Sequence, residues 1–200
     1  YGDANNDGKI DRDDIFATVE HILSKTIAPG QPDANQDGAI NVGDVVYLVD
    51  TLPPVDPGQI ADPNDPTVST DILESTAFLY TGPDAIQTGV KEGYIKGRTV
   101  VVLRGKMLDR EGNPLPNVGV YISDNPNYGR TRSRADGMFD MVVNGGSLLV
   151  VKFEKNGYLP VQRRVQLPWR RFFRMPDVHL VTLDATTSFI DLSTTVPIQI

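Results

Sequence analysis

Two stretches thirty residues apart decide how this chain is read: Asp3-Ala4-Asn5-Asn6-Asp7-Gly8-Lys9-Ile10-Asp11-Arg12-Asp13-Asp14 and Asp33-Ala34-Asn35-Gln36-Asp37-Gly38-Ala39-Ile40-Asn41-Val42-Gly43-Asp44. Each offers oxygen donors at loop positions 1, 3, 5, 9 and 12, with glycine at position 6. That is the spacing of an EF-hand-type calcium loop. A hard cation takes roughly six to eight oxygens, so one short loop must aim several of them inward. Gly8 and Gly38 permit the sharp turn after the third donor. Ile10 and Ile40, at position 8, stand where two such loops can pair and bury apolar side chains. Asp-Asn-Gly clusters also mark ordinary turns. Two copies that agree at the donor and glycine positions, each leading into an apolar helical stretch, favour calcium over turn chemistry.

After Asp14, the residues Ile15, Phe16, Val19, Ile22 and Leu23 recur at helical spacing and stop before Pro29-Gly30. After Asp44 come Val45, Val46, Leu48, Val49 and Leu52, ended by Pro53-Pro54. A calcium loop followed by a single helix, twice, with Asp at position 12, resembles the dockerin module of secreted bacterial assemblies; the resemblance covers about residues 1–52. It implies two Ca2+ ions. The first would be held by the side chains of Asp3, Asn5, Asp7 and Asp14, the carbonyl of Lys9, and Asp11 directly or through water. The second would take Asp33, Asn35, Asp37 and Asp44, the carbonyl of Ala39, and Asn41. The resemblance also implies that part of the helical surface docks on a cohesin-like partner. Cohesin choice is usually read at loop positions 10 and 11. Here they hold Arg12-Asp13 and Val42-Gly43, and neither copy carries the Ser-Thr pair common in cellulosomal dockerins.

Composition bounds the remainder. The 200 residues, 40% of them apolar, suffice for a small helical module and one medium domain. Up to residue 60, eleven acidic residues face three basic ones, a charge of −8; the remaining fifteen and sixteen give +1. Acidity is therefore a property of the loop-bearing segment, which argues against a nucleic-acid partner. No apolar run approaches the length of a membrane span. Cysteine is absent. Together with calcium sites suited to extracellular ion levels, this points to an exported bacterial or archaeal protein, secreted or on the cell surface. A start at Tyr1 within a module suggests a processed piece of something larger.

From Pro53 to Pro66, five of fourteen residues are proline. This predicts an extended linker rather than a helix or core strand. Residues 67–98 read as an irregular connecting segment that could pack along the next domain. From Thr99 the pattern turns all-β: Thr99–Leu108, then Val118, Val120 and Ile122 alternating with Gly119 and Tyr121. Asp136-Gly137 leads into Phe139, Met141 and Val143, and Ser147–Glu154, Val161–Leu167 and Val178–Leu183 follow. Six or seven short strands at this spacing predict a β-sandwich over residues 99–185. The fold class is thus multidomain: a small α module of two calcium loop–helix repeats and an all-β sandwich of immunoglobulin or transthyretin type.

The sandwich resembles the carboxypeptidase regulatory-like domain. The matching residues are Gly105-Lys106-Met107-Leu108-Asp109, Gly112-Asn113-Pro114-Leu115-Pro116-Asn117-Val118-Gly119-Val120, Ala135-Asp136-Gly137-Met138-Phe139 and Lys155-Asn156-Gly157-Tyr158. Phe78-Leu79-Tyr80-Thr81-Gly82-Pro83, Asn144-Gly145-Gly146 and Leu167-Pro168-Trp169 are similar to the region preceding the shell in bacterial YD-repeat and teneurin-like proteins. Residues 186–200 are expected either to be an extending strand that pairs with a neighbouring domain, another chain or a copy of this one, or to form an edge strand of their own sandwich.

His21 and His179 have no neighbouring nucleophile or metal-ligand spacing, and no thiol exists, so the expectation is a protein without catalysis. Arg163, Arg164, Arg170, Arg171 and Arg174 surround Trp169 and suit either solvent or an anionic partner. Phe172-Phe173 read as core. The functional expectation is a calcium-binding extracellular assembly or structural protein. The alternatives are a module that captures a cohesin or a glycan-bearing partner, and an accessory region of a secreted carbohydrate-active enzyme.

Overall fold

The computed structural model describes residues 1–24, 27–63 and 67–184. Helices α1 (Arg12–Ser24) and α2 (Val42–Thr51) each begin at position 10 of a loop. Asn41 caps α2: its side chain accepts from Gly43 N–H, while Asp44 accepts from the Asn41 N–H at 2.8 Å, a reciprocal capping box. Asp11 and Asp14 repeat the arrangement at α1, with Asp13 N–H on Asp11 and Asp11 N–H on Asp14. Leu52, followed by two prolines, ends α2.

The two repeats meet edge to edge. Gly2 N–H donates to Gln31 O, Gln31 N–H to Asp3 O, and Gly30 N–H to Ala4 O, at 2.6–2.9 Å. A Cβ at position 30 would lie 1.9 Å from Asp3 O, so only glycine fits there. Beneath this seam lie Ala4, Thr18, Ala34 and Leu48, the two helical ones, Thr18 and Leu48, being equivalent positions of the two repeats. The expected pairing of Ile10 with Ile40 is not made. Both side chains are exposed, because contact runs through the segments at Gly2–Ala4 and 30–31 instead.

The proline-rich stretch is not purely extended. Pro57–Ile60 forms one turn, α3, capped by Asp56 accepting from Gly58 N–H at 2.7 Å. Proline fits the first helical position, where its missing N–H costs nothing. Further on, α4 (Ile72–Thr76) and a 3-10 turn at Ala77–Leu79 carry Ile72, Leu73, Phe78 and Leu79 onto the sandwich, joined by Ile86, Tyr94 and Ile95.

The sandwich has two sheets. In the first, β1 (Val100–Leu108) pairs antiparallel with β4 (Met138–Asn144), and parallel with β7 (Arg171–Arg174) and β8 (Val178–His179). The second runs β3 (Arg130–Arg132), β2 (Gly119–Ile122), β5 (Leu148–Glu154), β6 (Val161–Gln166). Val100–Leu103 are fully buried on both faces, because residues 72–95 cover the outside of the first sheet; a strand so placed loses the apolar–polar alternation. Phe139 and Phe153 meet edge to face between the sheets. Gln87, also fully buried, donates to Tyr128 O and Val142 O and accepts from Val142 N–H, so its amide serves as a short extra strand on the rim of β4.

Three strand expectations change. Val178–Leu183 shrinks to two residues: Leu180 N–H still reaches Leu108 O, after which only a single bridge, Tyr158 to Thr182, remains. β3 and β7 form in stretches for which no strand was expected. Phe172 is exposed beneath the Arg104 guanidinium, 4.9 Å from the ring centroid, and only Phe173 packs on the core. The extending-strand expectation for residues 186–200 lies outside the described residues.

Candidate calcium loops and the surface around them

Both loops share one backbone path. Position 4 is left-handed in each, Asn6 and Gln36 at φ 62°, and so is position 6, Gly8 at 84° and Gly38 at 86°. Asparagine tolerates that conformation and glycine adopts it freely. The turn brings the donor side chains onto the loop's own amides. In the first loop Asp3 accepts from Asp7 and Gly8 N–H, Asn5 from Asp7 N–H, and Asp7 from Lys9 N–H. Asp14 is completely buried and accepts from Ala4 N–H at 2.7 Å, Asn5 N–H at 3.2 Å and Asp11 N–H at 2.8 Å. In the second loop Asp33 accepts from Gly38, Asn35 from Asp37, Asp37 from Ala39, and buried Asp44 from Asn35 and Asn41.

The donor set suits a hard cation. Each carboxylate oxygen that accepts one N–H keeps a second lone pair. Asp33 Oδ1 is buried with no hydrogen-bond partner, which is costly unless something positive completes it. Among the described residues no three acidic or histidine side chains gather closely enough to hold an ion by themselves. The sets would be completed by the Asn5, Asn35 and Asn41 amides and the Lys9 and Ala39 carbonyls. The Ala39 carbonyl and Asn41 are engaged with each other in this structure, the Asn41 amide donating to Ala39 O at 3.1 Å.

Apolar side chains remain outside on both helices. Phe16 is 61% exposed and Leu23 78%, and Val42, Val46 and Val49 are exposed as well, as is Ile27 beyond the end of α1. The module also touches the sandwich. Arg132 donates to Val49 O at 2.8 Å and Asp50 O at 2.9 Å, Asn117 donates to Thr51 O, and Arg12 pairs with Asp84 at 2.9 Å. Burial pulls the Arg132 guanidinium below its ordinary pKa, against the pull of Asp50. Spacing could not reveal the contacts of Arg132 and Asn117, because their acceptors are main-chain carbonyls.

The arginines around Trp169 do not form one patch. Arg170 is taken by Asp71 and the Gly97 carbonyl, and Arg174 lies 3.6 Å from Asp177. On the opposite sheet, Glu154 accepts from Tyr121 and pairs with Lys152; these contacts, the lysine's first, hold its carboxyl below the usual range. His21 accepts from Ala28 N–H at 2.9 Å through Nδ1, a structural role.

Comparison with known proteins agrees with this division. Residues 1–52 match the model of the dockerin type I domain, a kind of domain that binds calcium, and residues 95–180 match that of the teneurin TTR-like domain. Mouse teneurin-4 is 35% identical over 97 residues, covering 48% of this chain and 4% of that protein. Zebrafish teneurin-3 is 34% identical over 124 residues, 60% of this chain and 5% of that protein, and human teneurin-1 is 31% identical over 112 residues, 56% and 4%. The chain therefore spans only a small fraction of the relatives it matches. A solved minor pilin of Streptococcus agalactiae aligns over 47% of this chain and 49% of its own, with 11% identity and a TM-score of 0.36. No described helix is long and apolar enough to cross a membrane. The chain thus carries, in order, a segment similar to the dockerin type I domain at residues 1–52 and a β-sandwich similar to the teneurin TTR-like domain at residues 95–180.

Proposed function

We propose that this chain is a non-catalytic, calcium-organised assembly element of the extracellular space or cell surface. Two Ca2+ ions order the loops, and the two helices present an apolar face to a partner protein. The supporting observation is the imbalance in the module. Its buried residues are Gly2, Ala4, Thr18, Pro32, Ala34 and Leu48 with the two loop carboxylates, while Phe16, Leu23, Ile27, Val42, Val46 and Val49 face outward. A core so small cannot hold a module of this length without a metal, and exposed apolar side chains in such number suit a protein partner. Dockerin domains typically bind cohesins, so a cohesin-type fold is the partner class this face fits. A bacterial or archaeal origin belongs to this proposal; the relatives named above are animal proteins.

The test is calorimetry of the chain with CaCl2, followed by a surface-binding screen of cohesin domains in calcium and in chelator. Two binding events are expected, with any cohesin retained in calcium and released by chelator. Absence of calcium heat, with helical circular dichroism and protease pattern unchanged by chelator, would refute the calcium reading. Cohesin binding that Phe16→Asp and Val46→Asp leave intact would refute the assigned face.

A further inference from the structure

The C-terminal end of α2 is held by the sandwich. A helix leaves its last carbonyls without partners, and those of Val49, Asp50 and Thr51 are met here by side chains from the sandwich rim. The Arg132 guanidinium forks over two of them. Its charge also complements the negative end of the helix dipole. Asn117 reaches the third from a left-handed position at φ 57°, fixed by its own N–H on Ser133 O at 2.9 Å. Arg132 in turn is held in register opposite Gly119. The receptor is thus built on paired strands, not on a loose side chain.

The other end of the same helix is the second calcium loop. Asn41 caps α2 and Asp44 lies in its first turn, so ten residues join the proposed ion to the sandwich rim. A helix of that length is a rod of about 15 Å. Little else fixes its position, since Leu48 is the one buried apolar side chain it contributes. We propose that the β3 rim of the sandwich is an intramolecular receptor for α2, and that docking there and calcium binding in the second loop strengthen each other. The inference rests on the calcium reading above. By linkage the effect runs both ways: the ion favours the docked helix, and docking raises the affinity of that loop.

The experiment compares the full chain with its Arg132→Ala, Asn117→Ala and Arg132→Lys variants. Calcium calorimetry is paired with hydrogen exchange of residues 42–52 in calcium and in chelator, and exchange in β1 reports that the sandwich remains folded. In Arg132→Ala one calcium site should weaken by about three- to tenfold, the size of a charge-assisted contact at a helix end, while the other stays unchanged. Exchange in α2 should speed up, with Arg132→Lys intermediate because one ammonium cannot fork over two carbonyls. Two calcium heats unaltered in every variant would overturn the coupling and leave the calcium reading standing. No calcium heat in the parent chain would sink both, and exchange of α2 in chelator would then judge the docking by itself: unchanged rates in Arg132→Ala would overturn that too.

Discussion

Gln87→Leu tests how the segment before the sandwich is attached to it. Gln87 is fully buried and makes three hydrogen bonds, to Tyr128 O at 2.8 Å, to Val142 O at 2.9 Å and from Val142 N–H at 2.6 Å. Val142 lies opposite Val102 on β1, so its own N–H and C=O point to the free rim of β4. Leucine fills similar space but strands one donor and two acceptors away from water. Each unpaired group costs about 1–3 kcal/mol, partly offset by the gain of an apolar side chain, for a net loss of about 3–5 kcal/mol. For a sandwich of this size, at about 4–8 °C per kcal/mol, that corresponds to a melting temperature lower by about 12–40 °C. Thermal unfolding followed by near-ultraviolet circular dichroism measures it, and the Val142 amide should exchange much faster. A variant melting within about 3 °C of the parent, with Val142 still protected, would show that backbone pairing between Thr88 and Arg130 secures this segment and that the side chain is incidental.

The two loops should respond unequally to loss of their last carboxylate. Asp14→Ala frees three amides and Asp44→Ala two, and the first loop carries one more acidic donor, so calorimetry should show the tighter calcium event lost in Asp14→Ala and the weaker in Asp44→Ala; the reverse assignment would contradict the ranking. Glu154 supplies an acid-side dependence. Its folded pKa is lowered, first by Lys152 and then by Tyr121, so its contribution is full above the ordinary carboxylate pKa and is lost as pH falls through the folded value. Urea midpoints across the acid range should fall less steeply for Glu154→Gln than for the parent, and parallel curves would dismiss the cluster as a source of stability.

What was legible in the sequence was what repeats or alternates. The loops announced themselves because a hard cation fixes donor spacing, the strand at Val118–Ile122 because it alternates with one face buried, and Met138–Asn144 because the turn at Asp136-Gly137 opens it and Phe139, Met141 and Val143 recur at every second residue, although the strand is buried on both faces. β7 was invisible. Arg171-Phe172-Phe173-Arg174 has no clean alternation, since Phe172 is turned outward under Arg104 while Phe173 faces the core. The turn at Pro57–Ile60 was hidden by its prolines, which read as breakers although one of them opens the helix. Ile10 and Ile40 misled for a different reason. Their loop position is one where paired loops often touch, but here Gly30 lies against the Asp3 carbonyl and draws the repeats together elsewhere. The contacts of Arg132, Asn117 and Gln87 join residues 41 to 83 positions apart, and most of their acceptors are main-chain oxygens, which carry no side-chain signature.

Charge sharpens the account of how the module is held. The first 60 residues carry −8 and face a rim that bears Arg132 and Arg134, so with empty loops the long-range field draws the two together. Two bound Ca2+ would halve that charge and weaken the field, which on its own would make calcium and docking oppose each other. The field, however, is screened over about 8–10 Å at ordinary ionic strength. The contacts of Arg132 are made to neutral carbonyls at 2.8–2.9 Å and do not depend on the module's net charge. Two mechanisms of opposite sign are thus separable by salt. Raising NaCl from roughly 0.1 to 1 M shortens the screening length to about 3 Å; it should suppress the antagonistic field and leave the cooperative contact. The affinity ratio between the parent chain and Arg132→Ala for the second calcium site should therefore hold or widen at high salt. A ratio that collapses toward one would mean that the arginine acts only through its charge, and the lever between the second loop and the sandwich would have to be abandoned.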